Sequence, residues 1–405
     1  MSTVVDPASA PKAVPFLDVV SPEFDFGSPE VARAQAENWY AETPLGPMVL
    51  RYAEAEELVR DGRLTLNGKR FMEMSGIFSG PVYDWYVGIL GCQEGDDHRR
   101  LRGLVNRAFT SRTISGLRPF IRVTAERLAD RLASLEVCDF VEDFANPLPL
   151  AVMCELLGVP PEDYDTFRVW TTDVGLVFSL AQHGDIPARV EKAVVGLTGY
   201  VESLMAAKQA APGTDLISTL VTVRQAEGRV SWDELNSLLV TLIFAAHDTT
   251  RHQLANAMVT FAEHPDQWTL LGQHPELAGQ AVEEVMRWCP SVNTVYRVPA
   301  EDLDFHGLHI AADTFIMVGV PAVHRDPRAV SGGDSFDITA THELAPLLFG
   351  GGVHHCLGAA LARAELGEAL PVLASRLGPP TIAGPVTWRP PIGIYGPNEL
   401  PLRFG

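Results

Sequence analysis

The stretch that decides the fold lies near the C-terminus and reads Phe349-Gly350-Gly351-Gly352-Val353-His354-His355-Cys356-Leu357-Gly358. A helical pattern of apolar residues follows it over residues 359–377. Glycines permit positive φ and let the backbone approach a flat ligand closely. The first turn of a helix offers free N–H groups and partial positive charge, which favour a thiolate. The stretch therefore predicts a glycine-rich loop that delivers Cys356 to the start of a helix.

The residues alone leave two other interpretations of Cys356 open. It could be an ordinary buried thiol, which is what most single cysteines are. It could also bind zinc together with His354 and His355, although adjacent residues rarely all reach one tetrahedral ion and no second ligand cluster completes the set.

A long helix is predicted from Ser231 to His264. Ser231 and Glu234 have the spacing of a capping box, and Pro265 marks the end. At 1.5 Å per residue this helix spans roughly 50 Å. Its middle, residues 238–246, is apolar apart from one threonine, so we expect it to be buried on every side.

The rest of the chain predicts a mainly α protein with small peripheral β-sheets. Helical periodicity dominates residues 94–287, and short β-like pieces lie at 47–52, 295–298, 304–310, 315–320 and after 386. No strong linker interrupts the sequence, which indicates one domain over residues 16–405. Residues 1–15 are predicted to be a disordered lead-in.

Composition narrows the class of protein. The 405 residues are 46% hydrophobic and carry a formal charge of −20, which argues against nucleic acid as a partner. Neither a signal peptide nor an apolar run long enough for a bilayer is evident, so no membrane role is expected. Five scattered cysteines without CxxC spacing indicate reduced thiols and a cytoplasmic protein.

The cysteine stretch resembles the haem-binding loop of the cytochromes P-450, Phe-Gly-x-Gly-x-His-x-Cys-x-Gly, and all six fixed positions are present, Gly358 included. The resemblance implies the cytochrome P-450 fold, with haem b between the long central helix and the loop. Cys356 would be the axial ligand of the iron, and thiolate donation favours O–O cleavage. Phe349 would pack near the sulfur, and His354 would bond a haem propionate.

Further motifs of the family occur in the expected order. Glu284 and Arg287 are similar to its Glu-x-x-Arg element, a structural pair, although alone such a pair is weak evidence. Arg297 resembles the strand arginine that binds a propionate. His98 and Arg102 match its His-x-x-x-Arg helix beneath the other propionate, and arginine's planar fork suits a carboxylate.

Two positions depart from the family pattern. Many bacterial members have arginine where Ser335 or Ala340 stands here, so the loop partner of Glu284 and Arg287 is left open. The usual proline-histidine before the haem loop is replaced by Ala345-Pro346.

Residues 245–250 resemble the family's Ala-Gly-x-Asp-Thr-Thr, with Ala246 in the glycine position. The resemblance implies that the long helix opens locally here to admit oxygen and water. Thr249 would place a hydroxyl near bound dioxygen, and Asp248 would relay protons from solvent. A mid-helix threonine more often bonds a carbonyl one turn back. Retention of both residues favours O2 activation with two electrons, with hydroxylation as the default outcome.

No flavin or iron–sulfur domain follows Gly405, so electrons are expected from separate proteins. The resemblance implies a ferredoxin and an NAD(P)H-dependent ferredoxin reductase. Acidic ferredoxin could dock on a group of arginines, which otherwise are ordinary surface charge. The group consists of Arg99, Arg100, Arg107, Arg112 and Arg363.

By position in the family, the substrate pocket should be mostly apolar and partly aromatic, which suggests a lipophilic small molecule. The aromatic residues could equally form small cores. The predicted pocket consists of Phe71, Phe78, Trp85, Phe178, Phe244, Val292, Val295 and Ile394.

Two rival functions are weighed. A cysteine-ligated haem protein that binds or senses a small molecule without turnover would keep Cys356 but would not need Asp248 and Thr249. A haem-free helical binding protein would need all of these motifs to arise by chance.

Overall fold

The computed structural model describes residues 14–106, 109–178 and 184–405, so the predicted lead-in lies almost wholly outside the described residues. Within these ranges the helices are α1 (Pro29–Glu37), α2 (Tyr52–Arg60), α3 (Gly68–Met74), α4 (Pro81–Gly88), α5 (Gly95–Asn106), α6 (Ser111–Leu132), α7 (Pro147–Leu157), α8 (Tyr164–Gly175), α9 (Ile186–Ala210), α10 (Leu216–Glu227), α11 (Trp232–Glu263), α12 (Pro265–Gln273), α13 (Ala278–Trp288), α14 (Val320–Val323) and α15 (Ala359–Arg376).

The strands are short and form small sheets beside the helices. They are β1 (Tyr40–Ala41), β2 (Met48–Val49), β3 (Leu64–Thr65), β4 (Cys138–Asp139), β5 (Thr294–Pro299), β6 (Leu303–Phe305), β7 (Leu308–Ile310), β8 (Ile316–Gly319), β9 (Pro380–Ile382), β10 (Thr387–Trp388), β11 (Pro397–Glu399) and β12 (Pro401–Phe404). The largest sheet has the order β1-β2-β8-β5-β3, in which only β2 and β8 pair in parallel. Strands β4-β12-β9 form a second sheet, and β6-β7 and β10-β11 are hairpins.

Helix α11 is the predicted long central helix. The Ser231 hydroxyl accepts a hydrogen bond from the Glu234 N–H, and the Glu234 carboxylate accepts one from the Ser231 N–H, so the capping box is present. The helix packs against α7, α8 and α9 and contacts α13 and α15. The predicted burial of residues 238–246 on every side is only partly right. Residues 238–240, 243 and 244 are buried, whereas Ala245 is exposed and Ala246 is half-buried, because both line the cavity described below.

Helix α15 positions the cysteine loop that precedes it. It lies along α6, where Glu368 accepts hydrogen bonds from Arg118 (2.8 Å) and Arg122 (2.8 Å), and it also contacts α11. The loop before α15 therefore faces the middle of α11. None of the helices in the described ranges is apolar over a length sufficient to cross a lipid bilayer.

The mainly α architecture with small sheets confirms the predicted fold class. The predicted β-like segment at 304–310 is a hairpin, β6-β7, because Gly307 adopts φ +83° and reverses the chain between the two strands. The predicted piece at 47–52 contains only the two residues of β2, since α2 begins at Tyr52.

Candidate active site

The cysteine loop has the backbone that its glycines allow. Gly350 and Gly352 have φ of +65° and +64°, conformations that residues with a Cβ rarely adopt. The Cys356 N–H donates to the carbonyl of Phe349 across the loop at 2.9 Å. The loop thus closes on itself and presents the cysteine side chain just before α15.

Cys356 faces a cavity with an empty volume of about 550 Å³. The opposite wall is α11, through Ala245, Ala246 and Thr249, and the remaining lining is mostly apolar. Burial raises the pKa of the Cys356 thiol, although the backbone N–H of Gly358 and the Arg102 guanidinium oppose the rise. Coordination to a metal would ionise the thiol.

The zinc interpretation of Cys356 has no support in the described part of the chain. No group of three or more histidine, cysteine, aspartate or glutamate side chains there is arranged to hold a metal ion.

Phe349, the first residue of the cysteine loop, packs beside Arg363. Its side chain is buried, and the Arg363 guanidinium carbon lies 4.6 Å from the centre of its ring. Arg363 also donates two hydrogen bonds, of 2.5 and 3.0 Å, to Glu283 of α13. A cation–π contact and an ion pair therefore connect α13 and α15 beside the cysteine.

Two histidines predicted to bind propionates lie side by side. The rings of His98 and His354 are 4.7 Å apart between centroids. The Nε2 atom of His98 and the Nδ1 atom of His354 are buried and have no hydrogen-bond partner among the described residues. The other ring nitrogen of His354 is 3.0 Å from a carboxylate oxygen of Glu94. Buried polar atoms without partners are rare, so this pair is suited to a polar ligand group.

The two predicted propionate arginines lie next to the same loop. Arg102 donates to the carbonyl of His355 at 2.6 Å. Arg297 is buried and donates to the carbonyl of Val59 at 2.9 Å and to that of Gly351 at 3.3 Å. Both guanidinium groups are thus held beside the cysteine loop by neutral acceptors, and no carboxylate of the described residues lies within ion-pair distance of either.

Glu284 and Arg287 form the predicted ion pair, and the structure identifies the loop residue that binds this pair. Arg287 Nε and Nη2 each donate to the Glu284 carboxylate at 2.7 Å. Arg287 also donates to the carbonyl of Ser335 at 2.7 Å, so the backbone of this loop takes the place of the arginine common in the family. The Glu284 carboxylate also accepts a hydrogen bond from the Asp337 N–H (2.9 Å) and forms one with His342 Nε2 (3.1 Å). No sequence pattern singled out His342.

Thr249 lies on the cavity wall but α11 does not open there. The helix is continuous from Trp232 to Glu263, and the Thr249 hydroxyl donates to the carbonyl of Ala245 at 3.1 Å. The expected local opening is therefore not present in this structure. The reason is that the hydroxyl bonds the carbonyl one turn back, as threonines in helix interiors usually do, while the helical backbone keeps its own bonds.

Asp248 is fully buried and does not reach solvent. Its Oδ1 accepts a hydrogen bond from Arg251 Nη2 (2.7 Å), and its Oδ2 accepts one from Arg389 Nη1 (2.7 Å). Burial alone would raise the pKa of the Asp248 carboxyl, but Arg389 and Arg251 outweigh burial and hold the pKa well below its usual range. The sequence analysis named neither arginine; the i,i+3 spacing of Arg251 could have indicated it, but nothing in the sequence points to Arg389.

Glu365 is a second carboxyl group that the sequence analysis did not single out. It lines the cavity and is fully buried, and its Oε2 atom has no partner among the described residues. Burial raises the pKa of the Glu365 carboxyl well above its usual range.

Several of the predicted pocket residues meet in one aromatic cluster. Phe178 stacks on Phe244 with ring centroids 4.9 Å apart, and Trp85 meets Phe244 edge-on at 6.1 Å. Phe71 stacks on Tyr86 at 5.0 Å and on Tyr296 at 5.2 Å. None of these rings is among the described residues that line the cavity which Cys356 faces. Tyr296 was not among the predicted pocket residues.

The other predicted pocket residues are more scattered. Val292 lines the cavity and forms an isolated β-bridge with Ile394, while Val295 lies half-buried in β5. Phe78 is 70% exposed and makes none of the ring contacts of the cluster, which corrects its placement. It lies between Gly76 and Gly80, both with positive φ, in a surface turn that points it outward.

The predicted docking arginines are only partly free. Arg99 pairs with Asp96, and Arg100 donates to Glu234 at 2.6 Å. Arg363 is engaged with Glu283 as described above. Arg112 is exposed, and Arg107 lies outside the described residues.

Comparison with known proteins gives the class of this chain. Residues 272–376 match the family model described as Cytochrome P450. The chain is 45% identical over 406 residues to luteothin monooxygenase of Streptomyces thioluteus, with all of both proteins covered. The chain therefore belongs to the cytochrome P450 family and is a monooxygenase.

Two further comparisons agree with this assignment. The chain is 37% identical over 319 residues to cytochrome P450 monooxygenase PikC of Streptomyces venezuelae, which covers 76% of this chain and 74% of PikC. The solved structure of the cytochrome P450 PksS of the Bacillus subtilis 168 bacillaene polyketide synthase superposes with a TM-score of 0.83 at 29% identity, covering 93% of this chain and 96% of PksS.

The residues around the cavity fit the haem that this family uses with O2. A sulfur faces the cavity, and two buried histidine nitrogens, on His98 and His354, have no partner among the described residues. Arg102 and Arg297 bring two positive charges beside the same loop, where the hydrogen-bond partners of both within the described residues are backbone carbonyls. This donor set suits an iron macrocycle with two carboxylates, since both the metal and the acidic groups find complementary atoms.

Proposed function

We propose that this P450 hydroxylates a lipophilic, ring-containing small molecule of the polyketide class, using haem b. The observation that carries the proposal is one mostly apolar cavity that is lined by both Cys356 and Thr249. A sulfur ligand, a polar oxygen-side group and an apolar binding surface are the three parts that such a reaction needs.

The chain's own residues have distinct tasks around the cofactor. Cys356 would bind the iron, and His98, His354, Arg102 and Arg297 would bind the propionates. Phe349 would shield the sulfur from water. When bound, the haem supplies the activation of O2 and the oxidising equivalent for the substrate.

Proton delivery is assigned to the side chains of Asp248 and Thr249 on α11. The Thr249 hydroxyl lies on the cavity wall, where it could donate a hydrogen bond into the cavity in place of its bond to the Ala245 carbonyl. Asp248, the neighbouring residue, is held ionised and can accept a proton and pass it on. Positioned proton transfer of this kind typically contributes about 10²- to 10⁴-fold to a rate.

The substrate class follows from the cavity lining and from the relatives. The lining of the cavity is mostly apolar, which suits a lipophilic molecule. One structural relative belongs to a polyketide synthase system, and the relative matched over its full length is named for luteothin. Hydroxylation is the outcome we expect.

The electrons for the reaction are proposed to come from a ferredoxin and an NAD(P)H-dependent ferredoxin reductase. The exposed arginines Arg99 and Arg112 provide positive charge for an acidic partner. All five cysteines are free, as expected of a protein that works in the reducing cytoplasm.

The first experiment is the absorption spectrum of the purified protein reduced with dithionite and exposed to carbon monoxide. A strongly red-shifted Soret band in the wild type, lost in Cys356→Ser, supports thiolate ligation by this residue. An unchanged band in Cys356→Ser refutes the ligand assignment. Cys289→Ser is the matched control, because its thiol is not among the residues lining the cavity.

The second experiment tests Thr249. Thr249→Ala should retain haem but divert reducing equivalents to hydrogen peroxide, since the hydroxyl no longer orders the proton. The fraction of NADPH that appears as product is measured with spinach ferredoxin and its reductase. Equal product yield in Thr249→Ala and wild type would contradict the role of this residue.

The third experiment addresses the substrate by titrating the oxidised protein and recording the low-to-high spin shift. A ring-containing polyketide is compared with myristic acid and with testosterone. Tight binding of the polyketide alone supports the proposed class. Preference for the fatty acid or the steroid overturns it while leaving the monooxygenase assignment intact.

A further inference from the structure

The carboxylate of Asp248 is held by two arginines that come from different parts of the chain. Arg251 is one turn along α11 and donates to Oδ1 at 2.7 Å. Arg389 is 141 residues away and donates through both of its terminal nitrogens, to Oδ2 at 2.7 Å and to Oδ1 at 3.1 Å. All three side chains are at least 95% buried. Asp248 therefore accepts a two-pronged bond from Arg389 and a single bond from Arg251.

The position of Arg389 is set by the C-terminal hairpin. It directly follows β10, and its backbone N–H donates to the carbonyl of Gly396, just before β11, at 3.1 Å. Pro390 and Pro391 come next and restrict the backbone on the other side. The guanidinium thus enters the α11 cluster from a stiff turn that is independent of the helix.

The cluster has one more positive charge than charge balance needs. Within the described residues, Asp248 is the only carboxylate within ion-pair distance of Arg251 or Arg389. Glu142 is close enough to act on Arg251, but its carboxylate is already bonded to Arg168 and Asn146. Burying a cation that is not needed for neutrality is costly. The benefit of Arg389 is therefore geometric, since a fork of two N–H donors fixes the plane of a carboxylate.

Helix α8 closes the remaining side of the carboxylate. A Cβ built on Gly175 would be 2.3 Å from Asp248 Oδ2, so the backbone of α8 lies directly against the acid. The carboxylate cannot turn in that direction. Its orientation is therefore determined by Arg389 on one side and by the α8 backbone on the other.

We propose that Arg389 is a positioning residue that fixes the orientation of Asp248, so that the C-terminal hairpin and α11 together determine proton delivery toward Thr249. This inference rests on the proposed roles of Asp248 and Thr249. It assigns a functional contact to the β10-β11 hairpin, which otherwise is a short peripheral element.

The test uses the haem-loaded protein and needs no substrate. Protein reduced together with excess reduced ferredoxin, which supplies the second electron, is mixed with oxygenated buffer in a stopped-flow spectrophotometer, and the decay of the oxygenated protein is followed in H2O and in D2O. Arg389→Met should slow the decay roughly tenfold and raise the H2O/D2O rate ratio, because proton transfer is no longer well positioned. Arg389→Lys should recover part of the rate, since lysine keeps a donor but lacks the fork.

The matched control is Arg325→Met. Arg325 is another largely buried arginine, which lies over the Trp288 ring at 4.1 Å, donates to the Trp288 carbonyl and does not line the cavity. Its removal should lower stability without changing the H2O/D2O ratio. An equal change of this ratio in Arg325→Met and Arg389→Met would overturn the proposal, because it would show a general effect of losing a buried arginine.

A double-mutant cycle gives a readout apart from oxygen chemistry. The urea midpoints of Asp248→Asn, Arg389→Met and the double variant should be non-additive, with the double variant shifted less than the sum of the two single shifts. Additive midpoints, or an unchanged H2O/D2O ratio in Arg389→Met beside a changed ratio in Asp248→Asn, refute the role of Arg389 alone. An unchanged ratio in both Asp248→Asn and Thr249→Ala instead refutes the proton pathway of the proposed function.

Discussion

Replacing Glu284 with glutamine should destabilise the protein far more than the same replacement at its neighbour Glu283. Glu284 is 1% exposed and accepts two hydrogen bonds of 2.7 Å from Arg287, which is itself buried. Glutamine keeps the shape but removes the negative charge, which leaves the Arg287 guanidinium buried and unpaired. Breaking a buried ion pair by removing one partner costs about 3–5 kcal/mol.

Glu283 provides the matched control on the same helix. Its partner Arg363 is bonded at 2.5 and 3.0 Å, but the two side chains are 44% and 33% exposed. Ion pairs that water reaches contribute about 0.2–1 kcal/mol. The two substitutions therefore change the same residue type at adjacent positions of α13, and they differ in burial.

The assay is urea unfolding followed by tryptophan fluorescence, with the Soret band recorded in parallel to monitor haem retention. Glu284→Gln should lower the free energy of unfolding by about 3–5 kcal/mol, and Glu283→Gln by less than about 1 kcal/mol. If Glu284→Gln costs no more than Glu283→Gln, the argument that burial makes this pair structural is wrong. Arg287→Lys should be intermediate, since lysine keeps the charge but loses the two-pronged bond.

Two further predictions concern stability. His324 accepts a hydrogen bond from the Leu347 N–H at 2.8 Å, and burial, with Arg287 nearby, lowers its pKa to about 3, so the folded protein contains the neutral imidazole. The contribution of His324 to the free energy of unfolding is complete above about pH 6.5 and is lost as the pH falls toward 3, by on the order of 4 kcal/mol. His324→Gln should flatten that part of the pH–stability curve relative to wild type. Gly175→Ala should lower the free energy of unfolding by about 1–3 kcal/mol, because the added methyl group would clash with Asp248. Gly199→Ala in α9 should raise it by about 0.5–1 kcal/mol, because open space surrounds Gly199. Similar midpoints of the two variants in thermal unfolding would show that crowding by Asp248 is not the cause.

Local signals predicted much of this fold and of its site. The capping pair Ser231 and Glu234 begins α11 at the expected residue, and the glycine pattern before Cys356 predicts a loop that the structure contains. These features depend on residues within a few positions of one another, for which spacing fixes geometry. The pairing of Glu284 with Arg287 is of the same kind.

The parts that could not be predicted depend on contacts between distant segments. Arg389 reaches Asp248 across 141 residues, and His342 reaches Glu284 across 58. The periodicity of a single sequence does not indicate which distant residues come into contact. The exposed position of Phe78 was missed for a different reason, because an aromatic residue in a loop can turn toward either the core or solvent.

The three carbonyls that Arg297 binds bear on how the chain folds. One guanidinium group joins the end of α2 at Val59, its own strand at Tyr296 and the cysteine loop at Gly351, and the first of these contacts spans 238 residues. Contacts between such distant segments form slowly, because a long chain loses entropy when its ends are brought together. The cysteine loop therefore reaches its final place only after the N-terminal and C-terminal parts of the large sheet have met. We therefore expect haem to bind only after the N-terminal and C-terminal segments that meet at Arg297 have joined.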